Sequence, residues 1–374
     1  MKFADIPGHE DIKDELREMA DSGRLPHALL LEGPSGSAKF MLARAYAQYI
    51  HCEDRSGGDS CGRCPSCLQH QSFNHIDTVF SFPVIKKNSR PTISDDYGAE
   101  FREMMAEYPY MDIERWIVAL QSANSQPRIY VEEGAELQRR LNFKAHQSRF
   151  KIVLMWLPER LQEDTANKLL KLIEEPHEDT LFVLSSDDSK QILPTIYSRC
   201  RRIGVRRYDD ATVARIIASQ LAMSDESAAA IAALAGGNVN EALALVDVSH
   251  SRQQYLDLFI ELMRKAYQRK IVLLRKWSAD VAALGREKNL AFLDYCSRMI
   301  RENFILNLHI DGLNCLTDAE RAFCVNFSRF INETNVLRIV DVFDDARNDI
   351  AANANAKIVM FDVAVKTILL LKRD

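Results

Sequence analysis

Residues 33–40 read Gly-Pro-Ser-Gly-Ser-Ala-Lys-Phe, and this stretch decides how the first part of the chain folds. The apolar residues 28–31 precede it as a predicted strand, and residues 41–47 follow it as a predicted helix. A strand, a glycine-rich loop and a helix in this order are typical of a phosphate-binding loop, whose backbone N–H groups cradle phosphate oxygens. The sequence therefore predicts an α/β domain built around such a loop.

The sequence of the loop keeps glycines and a lysine of the motif but lacks the side chain that binds Mg²⁺ for ATP hydrolysis. Gly33, Gly36 and Lys39 remain, and the lysine is the cation that would reach a phosphate. Phe40 stands where a Ser or Thr hydroxyl would bind Mg²⁺, and Ala38 replaces a second glycine. Since a phenyl ring cannot bind magnesium, we expect neither Mg²⁺ nor ATP hydrolysis here. Whether the loop holds ATP, ADP, a phosphate or nothing stays open.

A second element of a nucleotide site is also missing. Residues 151–156, Lys-Ile-Val-Leu-Met-Trp, predict a buried central strand. In P-loop ATPases an Asp at the end of such a strand holds Mg²⁺. Here Trp156 and Leu157 occupy the strand end, and Glu159 lies beyond Pro158, so we expect its carboxylate to point elsewhere. Both changes remove metal ligands and indicate a nucleotide site without hydrolysis.

Further strands and helices alternate along the first 206 residues. Strands are predicted at 78–82, 129–131, 180–186 and 200–205. Ala166, Leu169, Leu170 and Ile173 recur at helical spacing and give one apolar face, and Pro176 stops that helix. This alternation predicts a parallel α/β sheet.

Four of the eight cysteines fall within 16 residues, spaced C-x8-C-x2-C-x2-C. They are Cys52, Cys61, Cys64 and Cys67. Four thiolates can surround one tetrahedral ion and leave no open position, so we predict a structural zinc site. Spacing alone does not exclude an iron–sulfur cluster or free thiols. His51 and His70 flank the cluster and are interpreted as bystanders.

Composition and charge narrow the class of protein. The chain has 374 residues, 47% hydrophobic and 27% charged, which is ordinary for a globular protein of two or three domains. A net charge of −5 argues against a chain that coats itself with nucleic acid, so DNA contacts would need a local patch. The start of the chain lacks a signal-peptide core and no run of 18 apolar residues occurs. We expect a cytoplasmic protein without a membrane partner.

Two further stretches form a pattern, residues 165–176, Thr-Ala-Asn-Lys-Leu-Leu-Lys-Leu-Ile-Glu-Glu-Pro, and residues 193–200, Leu-Pro-Thr-Ile-Tyr-Ser-Arg-Cys. In this order they resemble two sequence boxes of the AAA+ clamp-loader subunits of bacterial DNA polymerase III. Residues 6–9 and 24–28 resemble the family's opening, and the cysteine cluster after the loop helix is typical of bacterial members. The resemblance covers roughly residues 6–245.

The resemblance implies a domain order. It predicts an AAA+ α/β domain at 1–206, with the zinc module at 52–67, a helical lid at 207–248 and an all-helical collar at 249–374. Residues 83–127 are an insertion relative to shorter members, with helices predicted at 101–108 and 113–120 and Asp112 as a helix cap. The insertion also contains the basic run Lys86–Arg90, which has two interpretations. It is either a contact site for DNA or a partner, or a solvated loop.

The resemblance also implies roles for single residues and partners. In this family the arginine equivalent to Arg199 reaches the ATP site of the neighbouring subunit. Asn240 stands where active subunits tend to have another arginine, which agrees with a passive subunit. The implied partners are the other clamp-loader subunits, tau/gamma and delta, together with the sliding clamp and primed DNA.

Two other functions compete with this interpretation. An autonomous AAA+ ATPase would need the metal ligands that Phe40 and Trp156 replace. A zinc-dependent DNA-binding protein would use the AAA+ part as scaffold only. The acidic net charge, and the lack of aromatic residues interleaved with basic ones near the cysteines, disfavour that second function.

Overall fold

The computed structural model describes residues 1–86, 91–121, 126–176, 179–307 and 316–371, with the backbone alone at 248–250. The chain divides into two compact units, Met1–Val246 and Asp247–Asp374. Each unit is described by itself. The finer domain boundaries at residues 206 and 248 stay predictions.

The first unit alternates strands and helices, as its sequence predicts. Its elements are α1 (Glu10–Asp21), β1 (Ala28–Glu32), α2 (Lys39–His51), α3 (Pro65–Gln71), β2 (Thr78–Ser81), α4 (Gly98–Glu107), α5 (Ile113–Ala119), α6 (Val131–Leu141), β3 (Lys151–Trp156), α7 (Glu163–Glu174), β4 (Thr180–Ser186), α8 (Pro194–Tyr197), β5 (Arg201–Gly204), α9 (Asp210–Leu221) and α10 (Asp225–Ala235). Helix α11 (Val239–Tyr267) begins in this unit and ends in the second.

The five strands form one parallel sheet in the order β2-β3-β4-β1-β5. Strands β1, β3 and β4 are almost completely buried, which explains their continuous apolar sequences. Because successive residues point to opposite faces, Leu29 and Leu31 enter one core, whereas Ala28 and Leu30 enter the other. The α/β fold with a parallel sheet is thus confirmed, and the carboxyl ends of the strands meet at one edge.

One predicted strand is wrong. Ile129 forms only an isolated bridge with Leu161, and residue 131 already begins α6. Glu132 and Glu133 lie in the first turn of that helix, where carboxylates are favoured by the helix dipole. The short apolar run was therefore too brief to distinguish a strand from the entry to a helix.

The insertion at 83–127 contains two helices, as predicted, at α4 and α5. The side chain of Asp112 caps α5 by accepting a hydrogen bond from the N–H of Glu114 at 3.0 Å. Trp116 is fully buried and donates from Nε1 to the carbonyl of Pro83 at 2.6 Å. In the basic run, residues 87–90 lie outside the described residues, and Lys86 Nζ lies 3.9 Å from Glu132 Oε1.

The described part of the second unit is helical. It contains the end of α11, then α12 (Ile271–Ala282), α13 (Arg286–Asn307), α14 (Asp318–Phe327), α15 (Val336–Ala351) and α16 (Ala356–Leu370), with a 3-10 turn at Ser328–Phe330. These helices share one core that includes the buried rings of Phe259, Trp277, Phe292 and Phe343. Within the described ranges, no helix combines the length and apolar character needed to cross a membrane.

Candidate functional site

The loop between β1 and α2 has the backbone shape that the sequence predicts. Gly36 has a φ of 74° and Ala38 a φ of 61°, and the carbonyl of Ala38 accepts the first hydrogen bond of α2 from Leu42. A left-handed backbone is unusual for alanine and is a conformation that glycine adopts readily. A Cβ on Gly33 would come within 2.1 Å of the carbonyl oxygen of Val205, so glycine is required there.

The loop lysine is already satisfied by the chain itself. Lys39 is 4% exposed, and its Nζ lies 2.8 Å from Oδ1 of Asp187, which follows β4. The same ammonium donates to the carbonyl of Pro34 at 2.5 Å and to Oγ of Ser37 at 3.3 Å. Because an ammonium has three donors, an incoming phosphate would have to displace one of these partners.

Phe40 points into the protein rather than toward a ligand. Its ring centroid lies 6.0 Å from that of Phe101 and 6.4 Å from that of Phe80. Phe101 belongs to α4 of the insertion and stacks on Phe82 with ring centroids 3.6 Å apart. The position of the missing magnesium ligand is therefore part of an aromatic core that the insertion completes.

Residues at the start of α11 pack directly on the loop. A Cβ on Gly36 would come within 1.9 Å of Oδ1 of Asn238, so the two residues are in close contact. Asn240 is buried, and its Nδ2 donates to Oγ of Ser35 and to the carbonyl of Met111, both at 3.2 Å. Asn240 thus joins the loop to the insertion, where the sequence indicated only the loss of an arginine.

The end of β3 offers no carboxylate to a metal at this loop. Leu157 takes a left-handed backbone with φ of 56°, and Pro158 begins a short 3-10 turn. The carboxylate of the half-buried Glu159 accepts hydrogen bonds at Oε1 from the N–H groups of Asp187 at 2.9 Å and Asp188 at 3.2 Å. Burial raises the pKa of Glu159. Its carboxylate is therefore used to hold the loop after β4.

The four clustered cysteines come together in space. Their four sulfur atoms, from Cys52, Cys61, Cys64 and Cys67, all lie within 4.8 Å of one another. Four sulfurs bound to one zinc at about 2.3 Å would lie about 3.8 Å apart, and the Cys61 and Cys67 sulfurs are 3.9 Å apart. The donor set and spacing fit a tetrahedral ion.

Backbone N–H groups also point at these sulfurs. The N–H of Cys61 donates to Sγ of Cys52 at 3.2 Å, and that of Cys64 donates to Sγ of Cys61 at 3.3 Å. Hydrogen bonds from the N–H groups of Arg63 and Cys64 lower the pKa of Cys61 to about 6. Such bonds favour thiolates, the form that binds metals. Cys200, Cys296 and Cys324 are buried outside this cluster, and Cys315 lies outside the described residues.

Three buried histidines lie together: His51, His70 and His75. His51 Nε2 lies 2.9 Å from the carbonyl of Phe150, which can only accept, so His51 Nδ1 accepts from His70 Nε2 at 3.0 Å. His75 Nδ1 accepts from the N–H of Asp77 at 3.2 Å, which leaves Nε2–H to donate to Ser66 at 3.0 Å. Burial lowers the pKa of all three rings. The three neutral rings lie outside the four-cysteine site, where His51 and His70 are hydrogen-bonded to each other and His75 stacks on both.

Arg199 lies on the surface directly after α8. Its side chain is 39% exposed, and its guanidinium pairs with Oε1 of Glu174 at 2.5 Å and donates to the carbonyl of Thr195 at 2.9 Å. Glu174 is the last residue of α7 and is 43% exposed. Exposed ion pairs of this kind contribute about 0–1 kcal/mol, so the guanidinium is available to another partner.

Residues 8–209 match a family model described as DNA polymerase III, delta subunit. The chain belongs to this family. The tau/gamma subunit of DNA polymerase III from Haemophilus influenzae is 25% identical over 250 residues, which are 66% of this chain and 30% of that protein. The delta' subunit from the same organism is 30% identical over 190 residues, which are 51% of this chain and 46% of that protein. The chain thus matches less than half the length of either relative.

A solved structure from Thermotoga maritima, a DNA polymerase III gamma subunit-related protein, is 13% identical. The comparison covers 96% of this chain and 99% of that chain, with a TM-score of 0.37. The assignment to the delta subunit family rests on the sequence matches.

In this delta subunit family member, the structure places Gly33 and Gly36 in the loop and Lys39 at the start of α2, and it gathers the four cysteines. Sequence reasoning missed three contributors to the loop: Asp187, Asn238 and the insertion. Asp187 follows a strand whose carboxyl end reaches the sheet edge where the loop lies, so its position after β4 was an available signal. The contact of Asn238 had no signal in the sequence pattern.

Proposed function

We propose that this chain is a non-hydrolysing, delta-prime-like subunit of the DNA polymerase III clamp loader. It would help to load a sliding clamp on primed DNA, within a complex that includes tau/gamma and delta subunits. Residues 1–206 would be the AAA+ domain, 207–248 the lid, and 249–374 the collar that joins other subunits. The observation that carries this proposal is the phosphate loop that the chain fills with its own residues.

Three contacts support the absence of hydrolysis. Lys39 is neutralised by Asp187, Phe40 is part of the aromatic core of the insertion, and Asn238 packs on Gly36. A hydrolytic site needs a free lysine, a bound Mg²⁺ and room for phosphates. Each of the three contacts removes one of these requirements, so the chain alone would not be an enzyme.

Arg199 would act in trans, in the ATP site of an adjacent ATPase subunit. A planar cation near the γ-phosphate stabilises the charge that develops during phosphoryl transfer, and a trans arginine can increase the rate by ~10³–10⁵. The exposure of Arg199 and its single exposed carboxylate partner support this role, because little free energy is needed to release the guanidinium.

Cys52, Cys61, Cys64 and Cys67 would hold one structural zinc ion. Four thiolates complete the coordination shell, so the ion would supply folding energy to the loop after α2 rather than activate water. The N–H groups that point at the sulfurs support the thiolate form.

The experiment is ATP turnover by a clamp loader reconstituted with Arg199→Ala. We expect assembly to be unchanged and clamp-dependent turnover to fall severalfold, because one neighbouring site loses its stabilising charge. Arg201→Ala is the matched control, since Arg201 is also an exposed arginine and pairs locally with Glu15. Unchanged turnover in a correctly assembled Arg199→Ala loader would refute the trans role. MgATP hydrolysis by the isolated chain, abolished by Lys39→Ala, would refute the passive subunit.

A further inference from the structure

The second unit contains an apolar cavity of about 300 Å³ between the end of α11, α14 and the turn Ser328–Phe330. Its wall is a series of aromatic rings. The ring centroids of Tyr267 and Phe330 are 5.0 Å apart, and those of Phe323 and Phe327 are also 5.0 Å apart. Because these rings pack on one another as well as on the core, they hold the wall of the cavity in place.

Two exposed arginines stand at the rim of this cavity. Arg264 comes from α11 and Arg329 from the 3-10 turn, so they approach from different elements. Among the residues that the structure describes, neither forms an ion pair with a carboxylate. The guanidinium of Arg329 lies 4.9 Å from the ring centroid of Phe330, which orients it across the aromatic wall. The cavity therefore combines an apolar interior with a positively charged rim.

Size and composition indicate what would fit. A volume of about 300 Å³ lies at the small end of ligand sites, enough for one or two large side chains rather than a whole cofactor. Aromatic residues, methionine and arginine are the residues enriched where partner proteins bury an anchor. Arginine also pairs with carboxylates through two parallel hydrogen bonds.

We propose that this cavity binds an acidic peptide segment of a partner protein. The segment would insert one aromatic or branched aliphatic side chain between Phe323 and Phe330, and carboxylates beside that anchor would pair with Arg264 and Arg329. The choice of an acidic partner follows from charge complementarity with the two rim arginines, which form no ion pair with any described carboxylate. The cavity shares no residue with the phosphate loop or with Arg199. A test of peptide binding is therefore independent of the function proposed above.

The test is a selection of random dodecamer peptides, displayed on phage, against the full-length chain. We expect the recovered peptides to share a negative charge and one large apolar residue. A synthetic, fluorescein-labelled peptide with the recovered consensus should bind with an affinity that falls as NaCl is raised, because the rim contacts are exposed.

Variants then locate the binding. Arg264→Glu combined with Arg329→Glu should weaken the labelled peptide at least tenfold, and Ala322→Trp should do the same by filling the cavity mouth from an exposed position. Arg275→Glu combined with Arg321→Glu is the matched control, since both are exposed arginines that do not line the cavity. We expect this control to bind within twofold of the parent chain.

Several outcomes would overturn the proposal. They are no enrichment over a blank surface, recovery of neutral or basic peptides, and equal binding by the rim variant and its control. Stoichiometric binding of laurate without peptide enrichment would assign the cavity to a small amphiphilic acid. Self-association that requires Arg264 and Arg329, measured by sedimentation, would assign it to a second copy of the chain.

Discussion

Oδ1 of Asp187 lies 2.8 Å from Nζ of Lys39, so a carboxylate from the loop after β4 neutralises the ammonium that would otherwise be available to a phosphate. The lysine is buried and the aspartate is about a quarter exposed. Removing one partner of a largely buried pair leaves the other charge without compensation. Loss of either partner is therefore expected to destabilise the chain, and an anion at Lys39 would have to compete with Asp187.

We predict that Asp187→Asn lowers stability and gives the loop some affinity for anions. Loss of the pair should cost about 1–3 kcal/mol of the free energy of unfolding, discounted for the exposure of the carboxylate. Urea unfolding with and without sulfate is the measurement, and sulfate should stabilise the variant more than the parent. Asp188→Asn is the control, because within the described ranges its carboxylate accepts hydrogen bonds from the nearby N–H of Lys190 and side chain of Gln191 and forms no ion pair with Lys39. Equal sulfate effects in all three proteins would contradict the prediction.

A second prediction is that Phe40→Thr introduces the hydroxyl group of the motif without restoring magnesium binding. The new hydroxyl would face Phe80 and Phe101 instead of solvent, so we expect no MgATP hydrolysis in a phosphate-release assay. Losing the buried ring should lower the free energy of unfolding by about 3 kcal/mol. The control is Phe143→Thr, at a ring that is 65% exposed, which should leave stability almost unchanged. Magnesium-dependent turnover in Phe40→Thr would show that the insertion does not close the site.

The zinc assignment predicts about one zinc per chain by mass spectrometry of the purified protein. Cys64→Ser should reduce that content to a small fraction and make the segment 52–67 sensitive to protease, because three thiolates bind zinc less tightly. Cys200→Ser, at a buried cysteine outside the cluster, should keep the metal. A parent chain without zinc after purification free of chelators would refute the assignment.

The environment of the Glu320 carboxyl lets us predict how the stability of the second unit changes at low pH. Burial alone would raise the pKa of its carboxyl, but hydrogen bonds from Arg252, from the N–H of Thr317 and from Arg298 outweigh burial and lower the pKa to about 2. A depressed carboxyl pKa stabilises the fold above the unfolded value of about 4.3, and this stabilisation disappears as pH falls through about 2.

Glu320→Gln should therefore reduce the free energy of unfolding by about 1–3 kcal/mol at pH 7 and by much less near pH 2. Urea unfolding across this pH range measures the difference. Glu333→Gln, at an exposed glutamate of the same unit, should have an effect near zero at every pH. A constant difference between Glu320→Gln and the parent down to pH 2 would mean that charge is not the cause.

Periodicity and motif spacing predicted the features that depend on neighbours in the sequence. The strands at 28–31, 151–156 and 180–186, the end of α7 and the cap at Asp112 follow from local apolar patterns and capping rules. The cysteine cluster belongs to the same class, because its four sulfurs come from one short segment.

The closure of the loop could not be predicted in the same way. Lys39 and Asp187 are about 150 residues apart in the sequence, although their side chains are in contact. Gly36 and Asn238 are in contact as well, and they are about 200 residues apart in the sequence. Such contacts depend on tertiary packing, and the spacing of apolar residues along the sequence carries no information about them. The error at residues 129–131 has the related cause that three apolar residues fit either a strand or the entry to a helix.

The filled phosphate loop has a consequence for the thermodynamics of the chain. A protein that binds a nucleotide only when folded gains stability with the concentration of that nucleotide. Here the loop and the start of α2 contact Asn238, Asp187 and the aromatic residues around Phe40, and these contacts require no nucleotide. We expect the melting temperature of the isolated chain to be the same in ATP, in ADP and without either. The stability of its fold would then not depend on how much ATP or ADP is present.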